Sequence, residues 1–251
     1  MHLLLSNDDG IHSVGLKVLA EALAPLGKIT VVAPNRDHSA SSNSLTLDTP
    51  IRAYSIAENW YSVEGTPTDC VHLAITGLIE DEPDIVVAGI NLGANLGDDV
   101  IYSGTVAAAM EGRFLGLPAV AISVTSRQPH DWQACAVVSH EIISRLIEIQ
   151  LPKDLIINVN IPDVSKQEIK GMKTTRLGSR HKAEPVIKSS DPRGKPIYWV
   201  GAAGPEQDAG PGTDFHAIKN SYVSVSPLQF DLTHYKAMEP VAQWVSACKI
   251  T

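Results

Sequence analysis

The chain has 251 residues, 44% of them hydrophobic, with 20 basic and 28 acidic side chains and a formal net charge of −8. That is enough apolar material for a large core with an appendage, and the acidic balance argues against a nucleic-acid polymer or an anionic membrane as partner. No run approaches a membrane span, the first apolar run is too short for a secretory signal, and Cys70, Cys135 and Cys248 lack the paired spacing of a zinc or redox site; the expectation is a cytoplasmic protein with reduced, packed thiols.

In chain order, the apolar run 3–6 reads as a strand that must end near Asn7, because continuing through Asp8 and Asp9 would bury at least one bare carboxylate. Adjacent acids before Gly10 read either as oxygen ligands for Mg2+, Mn2+ or Ca2+ at a strand's carboxyl end, or as a solvated turn capping the next helix. A helix over 14–26 and a strand over 29–33 follow. Thr66-Pro67-Thr68-Asp69 supplies a capping threonine, a proline at the first helical position and an acid three residues on, which predicts a helix to about Ile79. Residues 84–88 read as a buried strand and the glycine- and asparagine-rich stretch 89–99 as a loop. A helix over 106–115, a strand over 118–124, an amphipathic helix over 131–150 and a strand over 155–161 complete the alternation. It predicts an α/β fold with a Rossmann-like three-layer core on a mostly parallel central sheet.

Beyond about residue 171 the pattern changes to short strands broken by glycine and proline. Residues 184–187 and 196–200 flank Asp191-Pro192-Arg193-Gly194 as a protruding β-hairpin, with a late strand over 222–226 and a closing helix over 237–247. Such a C-terminal hairpin arm and closing helix commonly serve subunit assembly. Trp60, Tyr61, Trp132, Trp199 and Trp244 are expected to be core or interface anchors.

Three of these strands end in polar loops, carrying Asp8 and Asp9, Ser39, and Asn91 with Asn95, and in a parallel sheet all three emerge on one edge. Two carboxylates, a hydroxyl and an asparagine amide from separate loops form an incomplete shell for a hard divalent cation, with positions left for water and substrate. Ser103-Gly104-Thr105 adds a glycine-flanked helix start whose free N–H groups suit an anion, although Ser103 or Thr105 could serve only as its cap. His38 reads as a solvated loop histidine or a proton shuttle, and Asp98-Asp99 as a solvated pair or a second acidic cluster. The lysine loop of nucleotide triphosphatases, the dinucleotide glycine fingerprint and the Gly-x-Ser-x-Gly elbow are absent.

These residues resemble the SurE survival-protein nucleotidases. The match runs through Ser6-Asn7-Asp8-Asp9-Gly10, Ser39 with Ser42-Asn43-Ser44-Leu45-Thr46, Gly65-Thr66-Pro67-Thr68-Asp69, Gly89-Ile90-Asn91 with Asn95-Leu96-Gly97, and Tyr102-Ser103-Gly104-Thr105. It continues into Asp191-Pro192-Arg193-Gly194 and Gly210-Pro211-Gly212-Thr213-Asp214. The resemblance implies one α/β domain over 1–251, about 1–170 as catalytic core and about 171–251 as oligomerisation arm. It implies a divalent-metal-dependent phosphomonoesterase acting on nucleoside 5′- and 3′-monophosphates, in some members also on short polyphosphate. Asp8, Asp9, Ser39 and Asn91 would bind one Mg2+ or Mn2+ per subunit, in a homodimer or homotetramer built through the arms. Where the family pattern has glycine after the serine, this chain has Ala40; at positive φ an alanine costs on the order of 1 kcal/mol.

Placed on that frame, Asp8 and Asp9 orient or deprotonate an attacking water, while Asn95, Ser103, Gly104 and Thr105 hold phosphoryl oxygens. An aspartyl-phosphate route is the chemical alternative; its usual second aspartate, two positions after the first, is Gly10 here, which favours direct attack by water. A non-catalytic, metal-dependent mononucleotide sensor would need the same cradle.

Overall fold

All five residues of β1 (His2–Ser6) are buried, as a strand at the centre of a parallel sheet requires. The computed structural model describes residues 1–149, 152 and 155–248. After β1 come α1 (Val14–Leu23), β2 (Lys28–Pro34), β3 (Ala53–Ala57), β4 (Trp60–Val63), α2 (Pro67–Leu73), β5 (Ile85–Leu92), α3 (Gly104–Phe114), β6 (Ala119–Val124), α4 (Trp132–Glu148) and β7 (Ile156–Ile161). The last third holds β8 (Met172–Thr174), β9 (Ser179–Arg180), β10 (Ile187–Ser190), β11 (Pro196–Trp199), β12 (Glu206–Asp208), α5 (Asp214–Lys219), β13 (Val223–Leu228) and α6 (Met238–Ala247).

The nine-stranded sheet runs β3-β4-β2-β1-β5-β6-β7-β13-β8, parallel from β4 to β7. Its pleat sorts the core into two layers. Leu3 and Leu5 pack with Leu16 and Leu19 of α1 and Cys135 and Val138 of α4, while Leu4 packs with Val71 of α2 and Val106 and Ala108 of α3. This is the expected three-layer α/β fold. The chain leaves β1 toward β2 on one side and returns through β5 on the other, so their carboxyl ends bracket the point where the strand order reverses, the usual ligand crevice of open α/β sheets.

Local chemistry explains the helix starts. Ser13 accepts from Leu16 N–H, Asp131 from Ala134 N–H, and Thr66 and Asp69 form a capping box ahead of Pro67. The helix expected to reach Ile79 is α-helical only to Leu73 and continues as a π turn over Ala74–Leu78. The expected helix over 131–150 begins at Trp132 and is helical to Glu148; its proposed last residue, Gln150, lies outside the described residues.

Elsewhere the architecture departs from the expected elements, with β3 and β4 added at one edge of the sheet. The strand expected to stop at Ala88 continues to Leu92 through a register shift between Ala88 and Asn91, which puts Asn91 on a strand rather than in a loop. Gly89 permits this, because a Cβ there would stand 2.4 Å from the Ile122 carbonyl oxygen. Beyond residue 171, β10 and β11 form the expected exposed hairpin, but β13 returns antiparallel to β7 and carries β8, extending the main sheet. Cys70 and Cys135 are buried as expected, whereas Cys248 is exposed, since α6 buries none of its residues within the chain. Trp199 and Trp244 are likewise exposed. Among the described residues no helix is long and apolar enough to cross a membrane.

Candidate active site

β1 stops because Asn7 folds the chain back. Its side-chain amide donates to the Gly10 carbonyl at 3.0 Å and to Ser13 Oγ at 2.7 Å, leaving Asp8 and Asp9 at the strand's carboxyl end. Asp8 is only 4% exposed. Its Oδ1 accepts from Thr105 Oγ1 at 2.5 Å. Burial pushes the Asp8 carboxyl up to about 7, with Thr105 opposing the rise and the neighbouring Asp9 charge adding to it. Asp9 is partly buried and accepts from Leu92 N–H at 3.0 Å. Burial raises its pKa as well, against the Leu92 hydrogen bond.

The β2 loop is stitched to this turn by the His38 N–H, which donates to the Asp8 carbonyl at 2.8 Å. Ser39 is held by Asp37 Oδ1, which accepts from its N–H at 2.7 Å and its Oγ at 2.6 Å. Ala40 has φ +61, the left-handed conformation for which glycine is the unstrained residue. Asn91 donates its amide to the Gly93 carbonyl at 2.8 Å, which leaves Oδ1 without a donor among the described residues.

Asn95 is clamped on every side. Its N–H donates to Asn160 Oδ1 and its Nδ2 to Ser123 Oγ, both at 2.8 Å, and its carbonyl accepts from Asn158 and Asn160, both at 2.9 Å. Ser103 caps α3, accepting from Val106 N–H at 3.1 Å. A Cβ on Gly104 would stand 2.7 Å from the Asp8 Cβ, so glycine is what lets α3 approach Asp8. Thr105 is fully buried, with its hydroxyl engaged by Asp8.

Asp8, Ser39, Asn91, Asn95 and Ser103 therefore share one open cleft, lined also by Tyr102 and Arg127 and by Val200, Gly201 and Ala203 from the C-terminal third. Asp9, Gly104 and Thr105 are not among the residues that line it, although Gly104 and Thr105 touch Asp8. Asp98 and Asp99 form no second acidic cluster; both accept hydrogen bonds from Arg180. His38 lines a neighbouring polar pocket with Arg36 and Thr46, and burial lowers its pKa. Sequence reasoning missed Ser123, Asn158 and Asn160. Asparagines two apart in the otherwise apolar Ile156–Ile161 strand were the available signal.

The donor set fits a hard divalent cation. Asp8 is a buried carboxylate with no neutralising side chain in its hydrogen-bond shell, and Asn91 Oδ1 and the buried Asn7 Oδ1 have no donor among the described residues. No group of three or more His, Cys, Asp or Glu occurs among them. Two carboxylates with a hydroxyl and an amide oxygen form an all-oxygen set, suited to Mg2+ or Mn2+ rather than to soft metals.

An α/β sheet with an oxygen-lined cleft at its reversal point is the arrangement of a small-ligand-binding protein. Residues 3–184 match the family model described as survival protein SurE, and the chain belongs to that family. It is 61% identical over 245 residues, 98% of each chain, to the 5′-nucleotidase SurE of Methylococcus capsulatus, and 59% identical to that of Alkalilimnicola ehrlichii, covering 98% of this chain and 96% of the relative. The crystal structure of the SurE protein from Aquifex aeolicus superposes with a TM-score of 0.87 at 45% identity, covering 98% of this chain and all of that one.

Proposed function

We propose that the protein hydrolyses nucleoside 5′-monophosphates to nucleoside and phosphate, with one Mg2+ or Mn2+ per subunit held by Asp8, Asp9, Ser39 and Asn91. The observation that carries this reading is the buried, uncompensated Asp8 beside Asp9 at the sheet's reversal point. When bound, the cation supplies positive charge to the carboxylates and to a phosphoryl oxygen. Thr105 fixes the orientation of Asp8, and Leu92 N–H that of Asp9, so that a carboxylate orients and takes a proton from the attacking water. Asn95 and the α3 start at Ser103 hold the remaining phosphoryl oxygens, and Arg127 lends the cleft a positive charge. Gly10, two positions after Asp8, provides no second carboxylate for an aspartyl-phosphate route, which favours direct attack by water.

The open cleft also suits nucleoside 3′-monophosphates and short polyphosphate. The exposed Tyr198, Trp199 and Trp244 support assembly as a homodimer or homotetramer through the arm over about 171–251, with about 1–170 as catalytic core. The test is phosphate release from 5′- and 3′-mononucleotides and polyphosphate after chelation, then with Mg2+ or Mn2+ restored. Metal-dependent release from 5′-mononucleotides is expected; intact mononucleotide binding without release would instead make the protein a sensor.

A further inference from the structure

A 3₁₀ segment over Gly97–Tyr102 leads from Asn95, which β6 and β7 already hold, to the α3 start, so its placement bears on Ser103, the phosphate group at its far end. The segment has little burial of its own: only Gly97 and Val100 are buried, while Ile101 and Tyr102 lie in solvent. Ser42 holds the segment's end, its hydroxyl donating to the Ile101 carbonyl at 2.9 Å and its N–H to the Tyr102 carbonyl at 3.2 Å, and the C-terminal third holds the start and middle. Asp214, fully buried, accepts from Gly97 N–H through Oδ2 at 2.7 Å and from Gly178 N–H through Oδ1 at 2.9 Å. Gly97 has φ +53, and a Cβ there would stand 2.7 Å from the Phe215 ring, so the segment lies directly against α5. Arg180 donates through Nε and Nη2 to the Asp99 carboxylate at 2.8–3.1 Å, and its main-chain N–H donates to Asp98 at 2.8 Å. Its guanidinium lies 4.9 Å from the Phe215 ring centroid. At 23% and 30% side-chain exposure, Arg180 and Asp99 are sheltered enough for the two-point geometry to hold.

We propose that Arg180, through its hold on Asp99, is a positioning residue for the phosphate-binding strip, so that the C-terminal third completes the active site as well as presenting an assembly surface; this rests on the phosphomonoesterase reading of the cleft. The clamp acts through Ser103, whereas Asp8, Asp9, Ser39 and Asn91 lie on other segments. Loosening it therefore separates turnover from metal binding.

Full-length Asp99→Asn, Arg180→Gln, their double variant and Arg180→Lys are compared for phosphate release from adenosine 5′-monophosphate, Mn2+ affinity by calorimetry, and amide exchange. Each single variant is expected to lose kcat/KM on the order of 10- to 100-fold through misplacement. The double variant loses no more than the worse single, as expected for one shared interaction. Arg180→Lys falls between, keeping the charge without the fork. Mn2+ affinity stays within about threefold, and exchange quickens over 97–102 while β1, β5 and α3 stay protected. Additive losses, kcat/KM within about twofold of the parent, or unchanged exchange over 97–102 would overturn the proposal. If the parent releases no phosphate, the functional reading fails and the exchange comparison alone decides the clamp.

Discussion

Asp8→Asn separates the cost of the buried charge from its use. In the metal-free protein the Asp8 carboxyl titrates at about 7 against an ordinary 3.8, so the folded chain holds its proton more tightly than the unfolded chain. Stability from this group is complete below about pH 4 and is lost as pH rises through 7. The interval corresponds to about 4 kcal/mol at 1.36 kcal/mol per unit, a ceiling that water entering the open cleft reduces to roughly 2–4 kcal/mol. Asparagine keeps an oxygen for Thr105 and carries no charge. In EDTA at pH 8 the variant is therefore expected to melt higher than the parent, by roughly 4–16 °C for a chain of this size, and the gain should vanish near pH 4. Saturating Mn2+ should reverse the ranking by stabilising only the parent strongly, and turnover of the variant should fall by orders of magnitude. Thermal melts across pH, with and without metal, are the assay. A variant no more stable than the parent at pH 8 in EDTA, or one with the same gain at pH 4 and pH 8, would refute the reasoning.

Thr105→Val keeps the volume and removes the donor to Asp8; kcat is expected to fall by about tenfold or more, and any pH–rate limb assigned to Asp8 should move to higher pH. Ala40→Gly relieves the φ +61 strain and is expected to stabilise the fold by up to about 1 kcal/mol in chemical denaturation. Gly104→Ala drives a methyl against Asp8, so Mn2+ affinity measured by calorimetry should drop with most of the fold intact. Trp244→Glu places a charge on the exposed face of α6, and light scattering should report a smaller assembly than the parent at equal concentration.

Much of the core was legible because its signals are local. Buried β-branched runs, the Thr66–Asp69 box and the Asp8-Asp9 break in an apolar strand each depend on neighbours in sequence. β3 and β4 passed unnoticed because they are short and lie at the sheet edge, where half-buried strands lack a continuous apolar run. Asn91 was placed correctly among the groups at the sheet edge but in the wrong element, since the register shift after Ala88 depends on packing against β6.

The sequence by itself determined the α/β alternation, the strand ends that carry Asp8, Asp9, Ser39 and Asn91, and the family resemblance. Only the tertiary structure decided the partners of those groups. Thr105 meets Asp8 across 97 residues, Asn160 meets Asn95 across 65, and Asp214 meets Gly97 across 117. Periodicity and capping act over a few residues, whereas these hydrogen bonds exist only once sheet order and helix packing bring distant segments together.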